Sequence, residues 1–191
     1  MTRFGSWPTC AASRFAADRS GMGAVEFAMV APLLFLLYLG GSELTIALAI
    51  DRKVEHTAST VNDLVTQAQS LTAEDLEGIY RVSEALLAPY PSEGLQIRVT
   101  SVEIDEEGLA TVDWSCPTTG MARLAAGTPF TLPSNFAPLR SRTILVAETR
   151  YPYTPITGQV FSEMFEMGGI SYLDPRIGNS IESTGCAPIA L

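Results

Sequence analysis

The sequence predicts an α+β protein: a long N-terminal helix that crosses a membrane once and continues as a spine, packed with a small antiparallel sheet. Three patterns predict this. Phe27 to Ser42 carries no charge, apolar positions then recur at helical spacing from Val54 to Ala68, and two alternating stretches, Leu95–Ile104 and Leu109–Ser115, flank the turn sequence DEEG at Asp105–Gly108.

Charge divides the chain in the same way. Residues 1–21 hold Arg3, Arg14 and Arg19 against Asp18, residues 22–50 hold only Glu26 and Glu43, and residues 51–191 hold nine basic against eighteen acidic side chains. A basic head stays in the cytoplasm while a long acidic segment crosses. We therefore expect a cytoplasmic leader at 1–21, a transmembrane helix at 22–50 and an extracytoplasmic α+β domain at 51–191. The net charge of −9 argues against a nucleic-acid partner, because phosphate binding needs clustered Lys and Arg.

About 20 residues of helix span a bilayer core, and 22–50 is long enough. The residues alone admit a cleavable signal with Gly40-Gly41-Ser42 at its exit, a plain signal anchor, or a processed anchor. A plain anchor leaves Glu26 unexplained, since a charged side chain at mid-bilayer costs about 2.5–3.5 kcal/mol on insertion scales. Pro32 removes a backbone donor and is expected to kink the helix.

Past Ile50 the helix should run to about Gln69 as an amphipathic spine, burying Val54, Ala58, Val61 and Val65. A second helix is expected after Thr72, with Asp75 three residues on as a capping-box partner and Pro89 and Pro91 as terminators. Leu76, Ile79, Tyr80, Ser83, Leu86 and Leu87 mark its face. In the hairpin, Leu95, Ile97 and Val99 alternate before a shift to Val102 and Ile104, and Val112 and Trp114 are placed on one face. Residues 117–141 read as loop with a short helical turn around Met121–Ala126. Arg142–Tyr153 reads as a long strand, with Tyr151-Pro152-Tyr153 fitting an edge strand. The tail from Thr154 reads as irregular, with a helical turn near Val160–Met167.

No enzyme motif emerges: there is no G-x-S-x-G, P-loop or G-x-G-x-x-G. The acidic run Glu103, Asp105, Glu106, Glu107 lacks the alternating ligands of an EF-hand loop and fits a solvated hairpin tip. His56, the single histidine, fits a surface helix position. No catalytic residue, metal ligand or cofactor is expected. Cys10 falls in the leader, leaving Cys116 and Cys186 in the body. In an oxidising compartment this pair is expected to form a disulfide, with two independent buried thiols as the other reading.

The spacing Gly21-Met22-Gly23-Ala24-Val25-Glu26-Phe27, behind a basic leader and ahead of an apolar helix, resembles the processing site of the type IV pilin superfamily. The stretch GAVEFAMVAPLLFLL narrows this to TadE-like proteins, the minor pilins or pseudopilins of the tight-adherence (Flp) pilus system. VDWSC at Val112–Cys116 and YPYTP at Tyr151–Pro155 are similar to that family more loosely. The resemblance implies a pilin-like fold and a prepilin peptidase that cuts between Gly21 and Met22. It also implies that Glu26, followed by Phe27, pairs with the new α-ammonium of a neighbouring subunit. The implied partners are other pilins and pseudopilins, the peptidase, the inner-membrane assembly platform and the lipid bilayer. The implied role is assembly of an adhesive pilus. The reading from another class is a single-pass periplasmic binding or adaptor module unrelated to pili, and a third is a secreted soluble domain.

Overall fold

A computed structural model describes residues 21–155, 164–183, 186 and 189. The leader, with Cys10, lies outside the described residues. The chain divides into two compact units, 1–42 and 43–191.

In the first unit, helix α1 (Met22–Thr66) begins, and it runs unbroken through Pro32. Large apolar side chains from Met22 to Tyr38 are exposed on all sides, among them Phe27, Met29, Leu33, Phe35 and Leu37. Only 6% of the most apolar stretch of α1 is buried, which separates it from the core helix of a soluble domain. Residues 22–42 extend about 30 Å at 1.5 Å per residue, the thickness of a bilayer's hydrocarbon core.

In the second unit, α1 buries one stripe: Ile50, Val54, Thr57, Ala58, Val61, Asn62, Val65 and Thr66. It ends at Thr66, short of Gln69, because its last turn tightens: the amides of Gln67 and Ala68 donate three residues back, to Leu64 and Val65. The freed Thr66 carbonyl accepts from the Arg176 amide at 2.9 Å. After a two-residue strand β1 (Ser70–Leu71), helix α2 (Ala73–Leu87) starts on a complete capping box. Thr72 Oγ1 accepts from the Asp75 amide at 3.2 Å, and Asp75 Oδ2 accepts from the Thr72 amide at 3.0 Å. Lys53 of α1 holds the other end, donating from Nζ to the carbonyls of Leu86 and Ala88 at 3.1 and 2.7 Å, where a cation complements the helix dipole.

Strands β2 (Gln96–Ile104), β3 (Ala110–Pro117), β4 (Arg142–Tyr153) and β5 (Phe165–Leu173) form an antiparallel sheet in the order β3-β2-β4-β5. A short strand β6 (Glu182–Ser183) pairs in parallel with β1. One face of the sheet carries Ile97, Val99, Trp114, Cys116, Leu145, Ala147, Tyr151 and Tyr153 into a shared core with α1 and α2. The opposite face buries Val102, Ile104, Ala110, Ile144 and Val146 beneath Phe130, Leu132, Phe136 and Leu139 of the long loop.

The two faces explain the shift anticipated after Val99. The β2–β4 register is continuous, so Val102 and Ile104 simply point to the second core. The adjustment lies in β3, where Ser101 opposes Trp114 while Val102 opposes Val112, leaving Asp113 as an extra residue. Val112 and Trp114 therefore lie on opposite faces, which corrects the expectation of a shared one.

Four further expectations change. Met121–Ala126 is not helical; it lies between Gly120 and Gly127, both at positive φ, and a 3₁₀ turn occurs instead at Ser134–Phe136. The return strand spans Ala110–Pro117 rather than Leu109–Ser115. Tyr151–Tyr153 ends a strand that is interior up to Arg150, where its pairing with β2 stops, so Pro152 stands at a local edge with no β2 neighbour to need its amide. Of the helical turn expected near Val160–Met167, residues 160–163 lie outside the described residues, and Phe165–Met167 open strand β5.

Strand β5 is extended because α1 lies directly on it. A Cβ at Gly169 would stand 2.6 Å from Glu55 Cα, and one at Gly168 would stand 2.9 Å from the Thr149 carbonyl oxygen. Thr149 Oγ1 donates to the Val54 carbonyl of α1 at 3.0 Å, and Asn62 Nδ2 donates to the carbonyls of Leu145 and Ser171 at 3.0 and 2.8 Å.

The Gly169 contact predicts that Gly169→Ala destabilises the body by about 1–3 kcal/mol, the cost of overpacking against a backbone that cannot yield. Thermal unfolding followed by circular dichroism should show the loss, with Gly78→Ala, which has open space at its Cβ, as the tolerated control.

The capping box adds a pH signature. Hydrogen bonds from Thr72 hold the Asp75 carboxyl below its usual 3.8. A depressed folded-state pKa stabilises above the unfolded value and loses that contribution as pH falls through the folded one. The Thr72→Ala chain, which loses this cap, should therefore be less stable than the parent at neutral pH. The difference from the parent should shrink once pH drops well below 3.8. A gap that persists unchanged in acid would mean the carboxylate plays no part.

Candidate functional site

The candidate processing site occupies the start of α1. Gly21 is the last residue before the helix, and Met22 is its first. The amide of Val25 donates back to the Gly21 carbonyl at 3.1 Å, so the Gly21–Met22 peptide sits at the helix entrance. Gly21, Met22, Glu26 and Phe27 are all exposed, Phe27 at 68%. Glu26 follows Met22 by four residues, which puts both on one face of the helix. The apolar stretch that follows is long enough to anchor the chain in a membrane.

Within the body, the two cysteines are joined. Cys116 on β3 and Cys186 form a disulfide with Cα atoms 5.1 Å apart, closing a separation of 70 residues. On the chain-entropy model a loop of this size contributes about 4 kcal/mol. The surroundings are built around this link. Tyr80 of α2 donates its hydroxyl to the Cys116 carbonyl at 2.6 Å, and its burial pushes the phenol pKa up. Trp114 Nε1 donates to the Ile181 carbonyl at 2.7 Å, and Arg123 Nη1 donates to the Cys186 carbonyl at 2.7 Å. The VDWSC stretch thus supplies a buried residue on the loop-side face (Val112), the bulge (Asp113), the indole anchor (Trp114) and the disulfide (Cys116).

The YPYTP stretch is structural in the same sense. Tyr151 and Tyr153 are buried on the helix side of the sheet, and Tyr151 donates its hydroxyl to the Pro91 carbonyl at 3.0 Å. Tyr153 also lines an apolar groove of about 280 Å³ with Leu44, Ala47, Leu48, Pro155, Phe165 and Met167. Burial, with the Glu43 carboxylate nearby, raises its phenol pKa. His56 is exposed on α1, and Glu103, Glu106 and Glu107 are exposed at the hairpin tip.

Four residues seat α1 on the sheet: Asn62, Thr149, Gly168 and Gly169. Helical spacing puts Asn62 with Glu55 and Asp63 on faces away from the apolar stripe, and the structure corrects this, since Asn62 is fully buried against β4 and β5; no pattern in the sequence marks Thr149. The Gly168-Gly169 pair was the available signal, because glycine inside a strand marks the close approach of another backbone.

No curated protein and no solved structure matches the chain. The family model described as TadE-like protein matches residues 21–61. That match begins at the glycine of the candidate cut and takes in the apolar helix and most of the spine, so the N-terminal stretch of this chain is TadE-like.

Proposed function

We propose that this protein is a minor pilin, or pseudopilin, of a tight-adherence pilus. A prepilin peptidase cuts it between Gly21 and Met22, and it is held in the inner membrane by the first part of α1 with its body in the periplasm. The observation that carries this reading is the coincidence of three boundaries: the helix starts at Met22, the family match starts at residue 21, and Glu26 follows one turn later.

The chemistry follows from the cut. Hydrolysis of the Gly21–Met22 bond leaves a carboxylate on the leader and an α-ammonium on Met22. An ionised carboxylate in lipid is costly unless paired, and the ammonium of a neighbouring subunit is a partner of the right charge at the right depth. The pair sets one helix against the next in a fixed register. Other pilins and the assembly platform are the partners in this reading, and the bilayer is the solvent of the apolar helix. The role is mechanical and needs no cofactor.

Two experiments test it. Mass analysis of the chain expressed with its prepilin peptidase should find Met22 as the first residue, and Gly21→Val should leave the leader attached. A mature chain starting near Ser42 would instead mark a signal-peptidase substrate and end this reading.

Glu26→Gln keeps size and hydrogen bonding while removing the charge. We expect a processed, stable, membrane-bound protein whose cross-linking to neighbouring pilins is lost, with piliation reduced at least tenfold. Normal piliation by that variant would leave Glu26 as a headgroup-facing residue at the membrane edge.

A further inference from the structure

The body carries an apolar groove of about 280 Å³ between α1 and the paired ends of β4 and β5. Leu44, Ala47 and Leu48 of α1 line one side, and Tyr153 of β4 with Phe165 and Met167 of β5 line the other. Leu44 and Leu48 lie one turn apart and stay about half exposed, at 49% and 50%, and Phe165 is 43% exposed. Large apolar side chains left open around a concave lining mark a binding surface rather than a core.

Two features of the lining say what fits it. Tyr153 is 5% exposed, and its hydroxyl has no hydrogen-bond partner among the described residues. Burial keeps the phenol protonated, so it offers a donor, and a buried donor without an acceptor is costly. An occupant that brings a carbonyl oxygen into apolar surroundings satisfies it. The charged residues of the lining are Glu43 and Asp51, both acidic. Asp51 makes no ion pair among the described residues, and Lys53, two residues on, is engaged with the Leu86 and Ala88 carbonyls. The matching occupant therefore joins an apolar chain to a carbonyl oxygen and a cation.

Helix α1 points to the source of such a molecule. Residues 43–51 follow directly on residues 22–42, so at 1.5 Å per residue Leu44 and Leu48 come about 3–9 Å along the helix beyond the stretch that fits a bilayer core. The interfacial layer, where ester carbonyls and headgroups lie, adds about 5–7 Å on each side of that core.

We propose that the groove takes one acyl chain of a phospholipid with a primary ammonium headgroup, phosphatidylethanolamine, from the surrounding leaflet. The upper part of the chain lies between Leu48 and Phe165, its ester carbonyl accepts from the Tyr153 hydroxyl, and the ammonium stands at Asp51. The volume is near the lower bound of about 300 Å³ for small-ligand clefts, which suits part of one chain with the headgroup outside. An anionic headgroup would meet two carboxylates and no cation of the lining. The proposal rests on the reading that the first part of α1 spans a membrane, and not on processing or pilus assembly.

The test uses the full-length chain in phosphatidylglycerol nanodiscs. These carry a trace of either phosphatidylethanolamine or phosphatidylglycerol with a photoreactive diazirine on one acyl chain. After irradiation, the labelled peptides are mapped by mass spectrometry. Both probes should label residues 22–42 equally. The peptides holding Tyr153 and Phe165–Met167 should be labelled by the phosphatidylethanolamine probe about three- to fivefold more than by the other, the preference that one partly exposed ion pair supplies. Asp51→Asn should remove that preference and leave the labelling of 22–42 unchanged. Labelling confined to 22–42 would show that the groove holds no lipid, being filled by a second copy or by the chain itself, and overturns the proposal while the anchor stands. Equal labelling of the sheet peptides by the two probes would show that the carboxylates select no headgroup, and also overturns it. Absence of label from 22–42 would remove the membrane anchor itself, and the proposal with it.

Discussion

The body is organised by the contact of one helix backbone with one strand backbone. At Gly169 the spine passes so close that no side chain fits between Glu55 and β5. Such proximity brings polar main-chain groups into a dry interface, and they must find partners. Thr149 answers by donating to the Val54 carbonyl and accepting from the Gly169 amide at 3.1 Å, and Asn62 bridges to β4 and β5. These bonds are directional where the hydrophobic contacts around them are not. They fix the helix in one rotation and one height on the sheet, and the stripe from Ile50 to Val65 then packs as a consequence.

A second constraint follows from burying both faces of the sheet. A strand with one covered face alternates apolar and polar residues; this sheet is covered by helices near one end and by the long loop near the other. In β2 the change costs nothing in backbone terms, since Ile97 and Val99 use odd positions and Val102 and Ile104 use even ones. In β3 the two cores claim Ala110 and Trp114, which period-two geometry would put on the same side. One inserted residue, Asp113, resolves the conflict, and Ser101 Oγ donates to its carboxylate at 3.3 Å. The bulge is therefore the point at which the hairpin passes from one core to the other.

This also explains which parts were legible in the sequence. Local signals are legible: the apolar run, the Thr72–Asp75 box, the DEEG turn, the spine stripe and the paired body cysteines each depend on neighbours a few residues away or on a simple count. Strand β5 was not read because its defining partner is α1, more than a hundred residues distant. The two glycines required there lower strand propensity and disguise the element. The same holds for Asn62, whose side chain looks like an ordinary polar interruption of a helix until β4 and β5 are placed beneath it. The Val112–Trp114 placement failed for a related reason: alternation is a rule about one strand, while the bulge is set by what lies on both sides of the sheet.

Helix α1 obeys two packing regimes along one continuous helix. From Met22 to Tyr38 its large apolar side chains are exposed all round, which in water would be unfavourable at roughly 25 cal/mol per Å² and in lipid is not. From Ile50 onward only one stripe is apolar and buried, as expected of a helix with protein on one side and water on the other. The backbone is indifferent to this change, because every interior amide is satisfied within the helix in either solvent. A side chain such as Glu26 is not indifferent. In an otherwise uncharged apolar face, a carboxylate calls for a cation beside it or for the polar edge of the bilayer. In the reading we propose, a cut before Met22 would supply such a cation on a neighbouring copy. On that proposal, the hydrolysis that removes the leader would also create the partner of Glu26, so that processing and helix registration would be a single event.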